Sequence, residues 1–75
     1  MKIRFSRHAR RRARRYRIPE QRVLSILEST EWTEGNHEIV VKVTELPLPV
    51  KIVFVVERDT LTVTTNYPLK KGRRP

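Results

Sequence analysis

The sequence predicts an α+β domain, two N-terminal helices packed on a three- to four-stranded antiparallel sheet, and three observations carry that expectation. Apolar residues recur at helical spacing as far as about residue 29 and at every second position beyond Gly35-Asn36. This change of period from about 3.6 to 2 marks helices giving way to strands. The chain has 75 residues and no cysteine. A domain of this length buries roughly 60% of its unfolded surface, so there is room for one core, and without thiols apolar packing alone must hold it.

In chain order, Met1–Phe5 alternates Lys2 and Arg4 with Ile3 and Phe5, which suits a short leading strand. Ser6 stands where it can cap a helix over Arg7–Arg17. The apolar positions of that helix, Ala9, Ala13 and Tyr16, form a narrow stripe of mostly small side chains able to lie close on a flat surface. Ile18-Pro19 interrupts the chain, because proline restricts its predecessor yet is tolerated in a helix's first turn, so Pro19 opens a second helix. Val23, Ile26 and Leu27 form its core-facing side, with Leu24 beside them.

After a turn at Gly35-Asn36, segments 37–46, 49–59 and 60–68 are rich in β-branched and aromatic residues and read as three strands. In the middle one, Val50, Ile52, Phe54 and Val56 line one face and Lys51, Val53, Val55 and Glu57 the other. Apolar content on both faces makes it a central strand. Arg58-Asp59 suits a tight hairpin. Leu61 and Val63 oppose Thr60, Thr62 and Thr64, and the outward sheet face is expected to carry Lys51, Thr62, Thr64 and Asn66. Residues 1–69 then make one compact domain and KKGRRP at 70–75 a basic, flexible tail.

The formal charge is +9 and unevenly placed: residues 1–19 hold nine basic groups and no acid, residues 20–69 four basic groups against eight acids, and the tail four more basic groups. That imbalance makes nucleic acid the default partner, with an acidic protein as the alternative. No apolar run approaches the roughly 18 residues of a membrane span, and none follows the N-terminal arginines as a secretory signal requires. A cytoplasmic chain without a membrane partner is the expectation.

The positive charge is concentrated in RHARRRARRYR, residues 7–17, which contains seven arginines. On a helix, seven pairs of them fall at i,i+3 or i,i+4. At about 0.2 to 0.5 kcal/mol a pair, the repulsion totals roughly 1.5 to 3.5 kcal/mol at low salt. A polyanion would relieve it and release counterions, while the bland alternative is a solvated basic face. Arg7, Arg10, Arg11, Arg14, Arg15 and Arg17, with Lys71 and Arg73 of the tail, are therefore the candidate nucleic-acid contacts.

Within this run His8 is the one imidazole, a side-chain type suited to proton transfer, and it shares a helical stripe with Arg12 and Arg15. The other histidine, His37, gives no metal-ligand spacing with it, and no glycine-rich phosphate loop, paired-carboxylate arrangement or Ser-His-Asp order is present. Neither a metal nor a cofactor is expected. Tyr16 and Tyr67 can stack on bases or donate a hydroxyl, although Tyr16 lies on the apolar stripe and suits the core.

The string His8-Ala9-x-x-Arg12, the Ile18 that follows, the short Val/Leu-rich helix and the β-rich half ending in TTNYPLKKGR resemble a small prokaryotic domain-of-unknown-function family with an N-terminal HAxxR motif. The resemblance covers nearly the whole chain. It implies a relationship to BrnT-like and RelE-like toxins, compact α/β proteins that cut RNA without metal and are neutralised by an antitoxin. By position it points to His8, Arg12, Thr65, Tyr67 and Lys70. Tyr16-Arg17 stands where members often carry Arg-Gly, and Ala13 where a larger apolar residue is usual.

Three readings follow. One is a metal-independent endoribonuclease, the toxin of a toxin–antitoxin pair, with His8, Arg12, Tyr67 and Lys70 catalytic and an acidic antitoxin as partner. Another is a noncatalytic nucleic-acid-binding module, with RNA favoured. The last is an interaction protein whose basic helix docks an acidic partner. An exposed edge strand also leaves a homodimer open.

Overall fold

The computed structural model describes residues 1–69, in the order β1 (Lys2–Phe5), α1 (Arg7–Tyr16), α2 (Glu20–Glu28), β2 (Gly35–Val41), β3 (Val50–Glu57) and β4 (Thr60–Pro68). The basic tail, with Lys70, Lys71 and Arg73, lies outside the described residues.

The four strands form one sheet in the order β1-β4-β3-β2. β2, β3 and β4 make an antiparallel meander, and β1 lies parallel to β4. The sheet is therefore mixed, which corrects the antiparallel expectation. A parallel neighbour requires a long crossover, and here both helices and two strands intervene between β1 and β4. With β3 already flanked by β2, the free side of β4 receives the leading strand. Backbone bonds bracket it at both ends, Lys2 N–H to the Asp59 carbonyl at 2.7 Å and Ser6 N–H to the Val63 carbonyl at 2.9 Å.

Val50, Ile52, Phe54 and Val56 of β3 and Leu61 and Val63 of β4 are all buried. They share one core with Phe5, Ala9, Ala13, Ile18, Val23, Leu27 and Val43. β3 has neighbours on both sides, as its apolar faces require. Ile26 and Leu24 are only half-buried, so Val23 and Leu27 carry the buried stripe of α2. β2 begins at Gly35, earlier than the expected turn allowed, and ends at Val41 rather than near residue 46. Gly35 opens the strand at φ 120°, a backbone that its lack of a side chain permits.

One irregularity decides where the end of β4 points. Phe54 pairs with Val63 and Val53 with Thr65, so Thr64 is an extra residue, a β-bulge. The bulge reverses the in-out phase beyond it. Asn66, expected on the outward face from simple alternation, is instead fully buried beside the core, and the Tyr67 position turns outward with Lys51, its cross-strand partner.

The helix ends follow local chemistry. The Ser6 hydroxyl accepts from Ala9 N–H at 3.0 Å as the cap of α1 and donates to the Thr64 carbonyl at 3.1 Å, tying that cap to the bulge. At the other end Ile18 N–H reaches the Ala13 carbonyl at 2.8 Å and Arg17 N–H the Arg14 carbonyl at 3.3 Å. This double closure is a Schellman motif, and it places Arg17 at φ 58°, where glycine is usual. Pro19 caps α2 rather than occupying its first turn. The β3–β4 hairpin turns through Arg58-Asp59 with Arg58 at φ 56°, its N–H bonded to the Glu34 carboxylate at 2.7 Å.

Candidate nucleic-acid interface

α1 presents two surfaces. Ala9 and Ala13 are buried, so the helical period turns Arg11 directly outward, with Arg7 and Arg15 close on either side of it and Arg14 and then Arg10 toward one flank. Arg7, Arg10, Arg11 and Arg14 line a shallow recess of about 190 Å³. All four are exposed, as are Arg15 and Arg17. Among the described residues the ion pairs are Arg22–Glu45 at 2.7 Å and Lys51–Glu38 at 3.0 Å, so no arginine of α1 is neutralised by a carboxylate.

The second surface is one flank of the helix, where His8, Arg12 and Arg15 follow one another. β1 stops at Phe5, opposite Val63, which leaves the rest of β4 without a strand on that side. α1 runs there instead: the Asn66 side-chain amide donates to the Ala9 carbonyl at 3.1 Å. As a result the Arg12 guanidinium lies 5.7 Å from the centre of the Tyr67 ring, a cation–π arrangement. A second such contact joins Arg15 to Tyr16, also at 5.7 Å, and Tyr16 is half-buried against the core.

The sequence-derived candidates are thus partly assembled. Arg12 and Tyr67 meet, and Thr65 lies two residues before Tyr67 on the same outward face of β4. His8 is exposed one turn before Arg12, about 6 Å away at the Cβ atoms by helical geometry. Lys70 lies outside the described residues. His37 is far from this group in role: its Nε2 bonds the Thr33 carbonyl at 2.7 Å and its ring stacks on Phe54 with centroids 5.1 Å apart. Among the described residues no three His, Cys, Asp or Glu side chains cluster as metal ligands.

Lys51, expected on the outward sheet face, is not among the sequence-derived candidate site residues. It pairs with Tyr67 across β3 and β4, and the hydrogen bond and charge of Glu38 raise its pKa, with Tyr67 adding to the same direction. Lys51, ion-paired with Glu38 at 3.0 Å, is thus the cross-strand neighbour of Tyr67. Only the shifted register after the bulge brings them together, and nothing in residue spacing announces a bulge.

Comparison with protein-family models, curated proteins and solved structures finds no match to this chain.

Proposed function

We propose that this protein binds RNA through α1, with phosphates seated on the outward arginines. The observation that carries the reading is the unneutralised set Arg7, Arg10, Arg11 and Arg14 around one recess. Each phosphate seated there offsets the arginine repulsion and releases counterions. Arg15 and Arg17 extend the contact along the helix, and Lys71 and Arg73 extend it from the tail. With about six phosphates engaged, log K against log salt falls with a slope near −4 to −5, and a flat line refutes the proposal.

A second reading, that bound RNA is also cut without metal, is favoured by the meeting of Arg12 and Tyr67 on the flank that carries His8. In this scheme His8 takes the 2′-OH proton and O2′ attacks the adjacent phosphorus. Arg12 and Arg15 stabilise the pentavalent phosphate, and Tyr67 or Lys70 protonates the departing 5′-oxygen. The products are a 2′,3′-cyclic phosphate and a free 5′-hydroxyl. The resemblance to the HAxxR family and its toxin relatives supports this version, with a cytoplasmic toxin held by an acidic antitoxin.

The deciding experiment is incubation of the chain with a long single-stranded RNA in EDTA beside the His8→Ala variant. Cleavage by the wild type alone, with gel-shift binding kept by both, is the expected result. Intact RNA shifted equally by both chains leaves the noncatalytic binding module standing.

A further inference from the structure

We propose that β2 is a dimerisation edge, across which two copies pair antiparallel about a twofold axis at Val40 and join their sheets into one. β2 ends the sheet, and its outer side is bare: among the described residues no backbone group outside the sheet bonds to Gly35–Val41. It is also seven residues long, free of proline and in unbroken register with β3. Edges of that kind are normally blunted by proline, bulges or covering segments. Val40 faces outward from it and is 55% exposed.

The side chains select the register. A twofold axis perpendicular to the sheet keeps each copy's faces aligned and pairs residues symmetrically about its centre. Centred on Val40, the strand residues Ile39–Val41 pair, Val40 with its own copy and Ile39 with Val41 on the half-buried face, and Glu38 meets Lys42, the residue directly after the strand, of the second copy, twice over. Centred on Glu38 the two carboxylates collide, and centred on Ile39 Glu38 meets Val40 and Lys42 meets Asn36. The Val40 register is thus the self-complementary one. Glu38 uses Oε1 for Lys51, which leaves Oε2 for Lys42 of the second copy.

Net charge does not oppose the contact. The arginine-rich helix lies beside β4, two strands away from β2. In the joined sheet the two β4 strands are five strand spacings apart, about 24 Å. That exceeds the Debye length of about 8 Å at physiological salt. The local surface at the edge pairs opposite charges. A contact this narrow is smaller than a standard interface and predicts micromolar association.

Sedimentation equilibrium of the untagged chain, without RNA, tests the proposal. From about 1 μM to 1 mM the mass should rise from 9.0 kDa toward twice that value. Lys42→Glu opposes carboxylates and Val40→Lys opposes ammonium groups at the axis, and each should weaken association about tenfold or more. The exchange Glu38→Lys with Lys42→Glu, made together with Lys51→Glu so that residue 38 keeps an opposite charge within its own chain, should restore it, since the pairs are again opposite in sign. Circular dichroism melts establish that each variant is folded. A wild type that stays at 9.0 kDa throughout overturns the proposal, as does a folded Lys42→Glu variant that dimerises as tightly as the wild type.

Discussion

Arg17 and Arg58 both hold a left-handed backbone, at φ 58° and 56°, which L-residues other than glycine adopt at a cost of about 1 to 2 kcal/mol. Arg17→Gly should therefore raise stability by about 1 kcal/mol, read as a higher urea midpoint at unchanged slope, because the Schellman closure already supplies the bonds. Asn66 behaves oppositely. Its Oδ1 is buried without a partner and its amide is committed to the Ala9 carbonyl, so Asn66→Asp would bury a charge against a carbonyl oxygen. A loss of at least about 3 kcal/mol at pH 7 is expected in the same urea experiment. Glu45 has its pKa lowered, first by the hydrogen bond from Arg22 and then by its own backbone and Thr44. Because the folded pKa lies below the unfolded one, the pair's contribution is present above the ordinary glutamate range and is lost as pH falls through the folded value. An NMR titration of Glu45 should show its midpoint rising in Arg22→Gln. None of these three features was legible in residue order. Left-handed arginines contradict local preference, and the burial of Asn66 and the Arg22–Glu45 pair depend on distant elements.

At the level of elements, local chemistry spoke clearly where the period was strong. Ser6 before an uninterrupted run, Pro19 after Ile18, and alternation from Val50 to Glu57 gave α1, α2 and β3 nearly to the residue. Alternation misled after Val63, since one inserted residue reverses the facing of all that follow, and so Lys51 and Tyr67 were not seen as neighbours. The arginine face of α1 was legible from spacing alone, but its juxtaposition with β4 was not. α1 should also trade stability for binding. The double variant Arg11→Gln, Arg14→Gln removes five like-charge pairs and should stabilise the free protein by about 1 to 2.5 kcal/mol at low salt. The same change should weaken RNA binding and flatten its salt dependence by about two phosphates' worth. Thermal melts and salt-series gel shifts on one preparation would read both, and a loss of stability would mean that these arginines are already neutralised within the chain.

For the whole molecule, the leading strand could be anticipated but not its direction, because a parallel partner some sixty positions away leaves no trace in nearby residues. That pairing makes the order of events in time matter. Lys2 faces Thr60 and the Ser6 hydroxyl bonds Thr64, contacts separated by 58 positions. Non-local pairing of this kind slows folding relative to a helix bundle of the same length. During synthesis, at about 5 to 20 residues per second, β1 and α1 wait several seconds for β4. Until Pro68 clears the ribosome, Ala9 has no Asn66, Arg12 has no Tyr67, and the arginine helix has no floor to lie on. The nascent chain therefore carries its charge long before it carries its shape, and whatever the finished surface does begins only when the last strand arrives.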